Sequence, residues 1–240
     1  MDRAIEIVRA IFPSAIPEYL GAFETGDSKL EDAGVTTPLR LAHLLAQFGA
    51  ETDGLKIKRE SLKYTTEARL QEIFNNMTLS VPLLPGEVRM LLRQEKDLGE
   101  RFYGIAFDSD LYRRNEMNGG RNPGNSRKAR SLGNARIGDG FLFRGNGLIQ
   151  TTGGDSHKRA GDAVRVDFFS HPELLTTAEH ALKPALFEWT DTGCNTFADA
   201  DNLLKISRAI NLGNPNSTST PNGMDARKAF LRKAKQALGI

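Results

Sequence analysis

The amino-acid sequence predicts a mainly α-helical protein with at most a small β element. Apolar residues recur at the three- and four-residue spacing of an amphipathic helix over most of the chain, and helix-starting and helix-ending residues flank many of these segments. Strand-like composition occurs in one segment, residues 141–152, around a Gly-Asn-Gly sequence. No internal repeat or heptad pattern is present, and the 240 residues are enough to bury a sizeable core.

The helix signals can be followed in order along the chain. The first predicted helix covers residues 2–12 and ends at Pro13, and a second short one covers 17–23. Thr37 followed by Pro38 is an N-cap with a first-turn proline, which opens a densely apolar helix that runs out near Gly54. Further helices are expected at 66–74, 87–107, 176–190, 201–210 and 224–238.

Three segments are expected to be loops. Residues 27–34 are charged, and residues 75–85 contain two prolines among polar side chains, which makes them a candidate boundary. Residues 115–140 are rich in glycine, asparagine and basic side chains, with few apolar ones. A loop of that length is typical of a functional or mobile segment.

Composition and motif content exclude several classes of function. A net charge of +2 is too small to indicate a nucleic-acid partner, and no apolar run is long enough to span a membrane. The N-terminus lacks the pattern of a secretory signal. The single cysteine, Cys194, cannot form an intramolecular disulfide and is expected to be a small buried residue. The histidines show no paired spacing, so we expect no metal site.

Two glutamates stand where the apolar helix gives way to a polar loop. Glu51 and Glu60 are nine residues apart, which on one continuous helix would place them on opposite faces. A helix that ends near Gly54 would let the loop fold back and bring the two carboxyl groups together. Paired carboxyl groups are what glycosidic-bond hydrolysis uses. Spacing alone leaves open that both are solvated surface residues.

Local composition predicts different surroundings for the two carboxyl groups. Glu51 continues the apolar face by one turn, so we expect it to be partly buried with a raised pKa, as an acid requires. Glu60 is flanked by cations, which should keep it ionised, as a base requires. These cations are Lys56, Lys58, Arg59 and Lys63.

Two further segments carry candidate binding residues. In Arg144 to Gly154, an extended backbone would place Gln150 and Thr152 on one face, where they could hold water or a sugar hydroxyl; the alternative is a tight turn beside a strand. In residues 209–227, an apolar helix end leads through Asn211 into a polar loop. Asn211 could bind substrate or serve only to make a turn.

Together these segments resemble glycoside hydrolase family 19. The resemblance lies in AHLLAQFGAETDGLK, ESLKYT, GDGFLFRGNGLIQTTGG and INLG…NGMDAR, which occur in the family's order and cover roughly residues 37–238. The chain is most similar to the compact phage and prophage lysozymes (endolysins) of that family. It departs from the family pattern at Ala50, Asn146 and Leu212, positions that bear on the substrate subsites.

The resemblance implies a role for each matching residue. Glu51 corresponds to the general acid and Glu60 to the general base of an inverting reaction, without metal or cofactor. The resemblance implies that the remaining site residues bind substrate, position the attacking water or brace the cleft; they are Gln150, Thr152, Asn211, Arg144, Tyr64 and Arg227.

The resemblance also implies a lysozyme-like two-lobe fold. We expect residues 1–77 and 135–240 to form a large catalytic lobe and residues 78–134 an inserted small helical lobe, with no separate binding module. Residues 118–140 are expected to form a mobile rim of the cleft. The two carboxyl groups should be separated by roughly 6.5–9.5 Å, the inverting distance.

The expected function is hydrolysis of β-1,4 bonds in bacterial peptidoglycan for host cell lysis. The protein should be a monomer made in the host cytoplasm, and it should reach the periplasmic cell wall through a separate pore protein. Its basic C-terminal helix either is a solvated face or makes weak contact with the anionic envelope, without stable membrane insertion. The alternatives are a chitinase acting on poly-N-acetylglucosamine and a non-catalytic cell-wall-binding protein.

Overall fold

A computed structural model describes residues 4–106 and 124–240, and these residues form helices joined by loops, without a β-sheet. The mainly α-helical fold predicted from the sequence is confirmed. The helices are α1 Ala4–Ile11, α2 Pro17–Glu24, α3 Asp27–Asp32, α4 Pro38–Glu51, α5 Glu67–Asn75, α6 Glu87–Met90, α7 Glu95–Tyr103, α8 Ser126–Ser131, α9 Asp139–Leu142, α10 Gly154–Val164, a 3₁₀ helix Pro172–Thr176, α11 Leu182–Asp191, α12 Cys194–Asp199, α13 Leu203–Leu212 and α14 Met224–Leu238.

The chain divides into two compact units. The first comprises Met1–Lys58, Asn146–Gln150 and Ala160–Ile240, and the second comprises Arg59–Gly145 and Thr151–Arg159. The first unit therefore contains Glu51, and the second contains Glu60. None of the helices in the described ranges is long and apolar enough to cross a membrane.

Helix α4 is the centre of the first unit. Its start follows the predicted capping signal, because Thr37 Oγ1 accepts a hydrogen bond from the Arg40 backbone N–H at 3.2 Å and Pro38 occupies the first turn. All of its residues from Leu41 to Gly49 are buried. Helix α14 packs along α4, and a Cβ at Gly49 would lie 2.9 Å from the Phe230 ring of α14. This close approach requires glycine at position 49.

The end of α4 lies where the catalytic interpretation requires it. The helix ends at Glu51, and Thr52 caps it by donating its hydroxyl to the Phe48 carbonyl. The chain then reverses through three consecutive residues with positive φ, among them Gly54 at 75°. Helix α4 thus does not continue through Glu60.

The second unit has its own apolar core and a buried ion pair. Its core residues are contributed by α5 and α7 and by the segments beside them, and Phe102 contacts the ring of Phe74 at 5.2 Å between centroids. Arg101 and Glu87 pair at 2.6 Å between Nε and Oε1, and neither side chain is exposed. Separating the two side chains would leave a buried charge without its partner, so the pair holds α7 against α6.

Several predicted loops and strands differ from the structure. Residues 27–32 form α3, because Leu30 is buried in the first core. Residues 126–131 form α8 around the buried Ala129, so the predicted long loop contains a helix; its residues 115–123 lie outside the described ranges. The strand expected at 141–152 is wrong, since α9 occupies its beginning and the backbone after it turns.

Candidate active site

The first candidate carboxyl group, Glu51, belongs to a buried hydrogen-bonded cluster in the first unit. Gln47 precedes it by one helical turn, so both side chains leave the same face of α4. Arg227 of α14 donates from Nη1 to Gln47 Oε1 and from Nη2 to Glu51 Oε1. The Arg227 side chain is 2% exposed and that of Glu51 13% exposed, so the guanidinium fixes the carboxyl group from the protein side.

Asn211 joins this cluster through the backbone of Asn222. Asn211 Oδ1 accepts the Asn222 N–H at 2.8 Å, and Arg227 Nε donates to the Asn222 carbonyl at 3.1 Å. The Asn211 side chain therefore holds the loop that in turn holds Arg227. Three predicted site residues, Glu51, Asn211 and Arg227, are brought together in this way.

The second candidate carboxyl group, Glu60, is held at both oxygens within the second unit. The Tyr103 hydroxyl donates to Glu60 Oε1 at 2.9 Å, and the Gly145 N–H lies 3.4 Å from Oε2. The Glu60 N–H donates to the Gly145 carbonyl at 2.8 Å. Burial and the charge of Glu60 raise the pKa of Tyr103 well above its ordinary value, so its hydroxyl remains a donor.

Arg144 supports Glu60 from the same side as Gly145. Its Nε donates to the Glu60 carbonyl at 3.1 Å and its Nη1 to the Phe141 carbonyl at 2.6 Å. Its guanidinium also lies over the Phe141 ring, 3.9 Å from the centroid. A stacked guanidinium with two anchored nitrogens is rigid, so Arg144 fixes the backbone that carries Glu60.

The electrostatic surroundings of Glu60 differ from those that the sequence predicted. Burial raises the pKa of Glu60, and the Tyr103 hydroxyl, the Gly145 N–H and the charge of Arg144 oppose that rise. Glu51 is partly buried as expected, with its side chain 13% exposed, and it has a buried arginine as its partner.

The lysines near Glu60 in sequence are engaged elsewhere. Lys58 pairs with Glu18 at 2.5 Å and Lys56 with Asp53 at 2.6 Å, while Lys63 is exposed. Lys56 and Lys58 are thus directed to other carboxylates, and the cation that lowers the pKa of Glu60 is Arg144, from a distant segment. Sequence neighbours are a poor guide to the charges around a carboxyl group.

Three remaining predicted residues occupy different places. Tyr64 lies close enough to Glu60 that burial and the Glu60 charge together raise its pKa. Gln150 belongs to the first unit and Thr152 to the second. Gln150 has φ 52° and donates from Nε2 to the Gly147 carbonyl at 2.9 Å, so the extended backbone that would align it with Thr152 is absent.

Sequence reasoning missed two residues of these clusters. Gln47 was recognisable, because it precedes Glu51 by four residues on a helix. Tyr103 gave no such signal: it appeared as one apolar residue of a helix and lies 43 residues from Glu60 in the chain. In the described ranges, no three of the His, Cys, Asp or Glu side chains are grouped so that they could hold a metal ion.

The two clusters offer two carboxyl groups in unlike surroundings. One is paired with a buried arginine, and the other is half-buried with a raised pKa and a tyrosine donor. Carboxyl groups held in different environments can divide the acid and base roles of a hydrolytic reaction.

Comparison with known proteins agrees with this chemistry. No family model matches the chain. A protein of Haemophilus influenzae (strain ATCC 51907 / DSM 11121 / KW20 / Rd) described as a glycosyl hydrolase family 19 domain-containing protein is 26% identical over 225 residues, which cover 92% of this chain and 90% of that protein.

Solved structures share the fold. Chitinase C from Streptomyces griseus HUT6037 matches with a TM-score of 0.57 and 16% identity, over 100% of this chain and 78% of that one. A bacterial family 19 chitinase matches with a TM-score of 0.56 and 17% identity, over 98% of this chain and 94% of that one. The chain is therefore similar in sequence to a protein with a glycosyl hydrolase family 19 domain and similar in fold to solved family 19 chitinases.

Proposed function

We propose that this glycoside hydrolase is an endolysin that cleaves the β-1,4 bonds of peptidoglycan by inversion, with Glu51 and Glu60 as its catalytic residues. The observation that carries the proposal is the pair of dedicated settings for these carboxyl groups: Arg227 at Glu51, and Tyr103 with Gly145 at Glu60. Glu60 has a hydrogen-bond donor at each carboxyl oxygen, and Glu51 has a buried arginine at Oε1, so neither is a fully solvated surface glutamate.

The proposed reaction assigns one proton transfer to each carboxyl group. Glu51, in its protonated form, donates a proton to the glycosidic oxygen as the bond to the anomeric carbon breaks. Glu60 accepts a proton from water, whose oxygen bonds to that carbon from the opposite face. The raised pKa of Glu60 makes it a stronger base, while the Tyr103 and Gly145 donors orient it.

Azide rescue tests this division of roles. In Glu60→Ala, azide can replace the activated water, so we expect azide to restore part of the activity and to yield an α-glycosyl azide. In Glu51→Ala, the missing group is the proton donor, so azide should restore nothing on a natural glycan. Rescue of Glu51→Ala alone would reverse the two roles.

Two arginines favour peptidoglycan over chitin. Burial, and then the charge of Arg59, lower the pKa of Arg144, and Arg144 donates to the carbonyl of Glu60, the residue after Arg59. Arg59 Nη2 has no hydrogen-bond partner among the described residues. In peptidoglycan the lactyl carboxyl group on alternate sugars is amide-linked to a peptide that carries free carboxylates, whereas chitin is uncharged, and cationic surfaces select anionic substrates.

Chitin hydrolysis is the second candidate, because the structural relatives named above are chitinases. A cell-wall-binding protein without activity is the third. The proposal also includes a monomeric protein that is made in the cytoplasm and released to the periplasmic cell wall by a separate pore protein. Exposed cations on α14, at Lys228, Arg232 and Lys233, support weak contact with an anionic envelope.

Mass spectrometry of digested cell wall separates these functions. Purified peptidoglycan and a chitin oligosaccharide are incubated with wild type, Glu51→Gln and Arg59→Gln, then reduced with borohydride. We expect new reducing ends from peptidoglycan with wild type, none with Glu51→Gln, and a selective loss on peptidoglycan with Arg59→Gln. Cleavage of chitin alone would support the second candidate, and binding without cleavage the third.

A further inference from the structure

A third buried carboxyl group, Glu100, lies on the helix that supplies Tyr103. Glu100 is 4% exposed and precedes Tyr103 by three residues, so the two side chains leave neighbouring positions on one side of α7. The catalytic proposal gives Glu100 no role. A carboxyl group this deeply buried is costly unless its oxygens are used.

Glycines enclose the Glu100 carboxyl group. A Cβ at Gly104 would lie 2.1 Å from Glu100 Oε2, and one at Gly140 would lie 2.5 Å from the Gly99 carbonyl. Glu100 Oε1 accepts the Phe141 N–H at 2.8 Å. The backbone of α9 therefore packs against α7 at Gly140, at a distance that other residue types would not allow, and its Phe141 N–H is fixed to Glu100.

The contacts continue from Phe141 to Glu60. The guanidinium of Arg144 lies over the Phe141 ring, 3.9 Å from the centroid, and its Nη1 donates to the Phe141 carbonyl at 2.6 Å. Arg144 donates to the Glu60 carbonyl at 3.1 Å, and the following Gly145 exchanges backbone and side-chain hydrogen bonds with Glu60. Each link lies within the second unit.

We propose that Glu100 is a positioning residue for Glu60, acting by fixing the turn at 138–141 on which Arg144 rests. This inference depends on the proposed catalytic role of Glu60. Helix α7 then supports Glu60 twice, directly through Tyr103 and indirectly through Glu100.

The charge state of Glu100 changes within the neutral range. Burial raises its pKa to about 7, the N–H groups of Phe141, Gly138 and Gly140 lower it, and the charge of Asp139 raises it. The next residue on α7, Arg101, is directed to Glu87, and the residues one turn before Glu100, Lys96 and Asp97, are also charged. On α8, which also packs against α7, the basic side chains are exposed; they are Arg127, Lys128 and Arg130.

Stability and positioning respond to this charge in opposite directions. The folded-state pKa of Glu100 lies above its ordinary value, so its contribution to stability is complete at low pH and is lost as the pH rises through about 7. The ionised carboxylate, however, is the stronger acceptor for the N–H groups of the turn. An ionised Glu100 thus costs stability while it holds the turn more firmly.

The variant Glu100→Gln separates positioning from a purely structural role. It keeps the shape but cannot ionise, so at about pH 8 we expect a higher melting temperature than wild type and an activity lowered about tenfold in kcat, with KM unchanged. At about pH 5.5, where wild-type Glu100 is protonated, the difference in kcat should shrink. Activity is read as reducing ends released from purified peptidoglycan, with the exposed Glu72→Gln as control.

Each outcome decides the inference. An unchanged kcat at both pH values, or a parallel loss of kcat and stability at both, overturns it. If Glu100→Gln does not fold, Phe141→Leu removes the platform of Arg144 and should lower kcat in the same way; an unchanged kcat there overturns it too. Full activity of Glu60→Gln would instead refute the proposed function, so the two failures are distinguishable.

Discussion

Arg227 donates to Glu51 from Nη2 while its Nη1 donates to Gln47, one turn earlier on the same helix. The guanidinium therefore spans a turn of α4. The Arg227 side chain is 2% exposed, so these hydrogen bonds are shielded from water. Such a contact determines where the Glu51 carboxyl group lies. It also makes the arginine the hydrogen-bond donor on which this largely buried carboxyl group depends.

Replacing Arg227 with methionine should destabilise the protein. The change leaves Glu51 and Gln47 without their shared donor, at a cost of about 3 kcal/mol, the lower range for breaking a buried pair. Chemical denaturation measures this loss as a decrease in the free energy of unfolding. Arg9→Met is the matched control, because the Arg9–Glu24 pair is half-exposed and such pairs contribute about 1 kcal/mol or less.

The double variant Arg227→Met with Glu51→Gln checks the cause of that loss. Without the charge on residue 51, part of the stability should return. If the double variant is as unstable as the sum of the two single changes, the loss comes from packing and the electrostatic account of this cluster is wrong.

Replacing Tyr103 with phenylalanine should shift the pH dependence of activity. The Tyr103 hydroxyl lowers the pKa of Glu60, so its removal raises that pKa further. A base must be ionised to act, and the acidic limb of the kcat/KM profile should therefore move to higher pH. Tyr19→Phe removes a buried hydroxyl that donates to the Ile57 carbonyl and not to the Glu60 carboxyl group, and it should leave the limb in place. If the acidic limb of the Tyr103→Phe profile does not move, Glu60 is not the general base.

His157 should make the protein lose stability in acid. Its Nδ1 contacts the Gly153 carbonyl at 2.8 Å, and burial, aided by Arg59, lowers its pKa to about 4. The unfolded chain takes up this proton near about pH 6.5, so the stability from neutral His157 is complete above that value and is lost as the pH falls to about 4.

The variant His157→Asn tests this dependence. Asparagine can still donate to Gly153 but does not titrate. The difference in free energy of unfolding between wild type and His157→Asn, measured by urea denaturation at several pH values, should narrow on acidification. A constant difference would show that His157 is not the titrating group.

Local signals in the sequence accounted for the helices that matter most to the site. Thr37 and Pro38 start α4, and the glycine at position 54 marks its end, because capping and positive φ depend on a few adjacent residues. The site residues came from the family resemblance, and the structure places Glu51 with Arg227 and Glu60 with Arg144.

Long-range contacts explain what the sequence could not predict. The surroundings of Glu60 depend on Tyr103, 43 residues away, whereas the adjacent Lys58 turns to Glu18. The segment after Arg144 has strand-like composition, yet Gly147 packs so closely against Leu175 that a Cβ would lie 2.9 Å from its carbonyl oxygen. Tertiary packing of this kind overrides local preference.

The rates of Glu51→Gln and Glu60→Gln on purified peptidoglycan test the central claim most directly. Each removes one proton transfer with almost no change in shape, so each should lower the initial rate of reducing-end release by about 100-fold or more, while the exposed Glu31→Gln remains like wild type. Circular dichroism confirms that the variants are folded. A folded Glu51→Gln or Glu60→Gln with a rate close to that of wild type would contradict the assignment of these two residues as the catalytic pair.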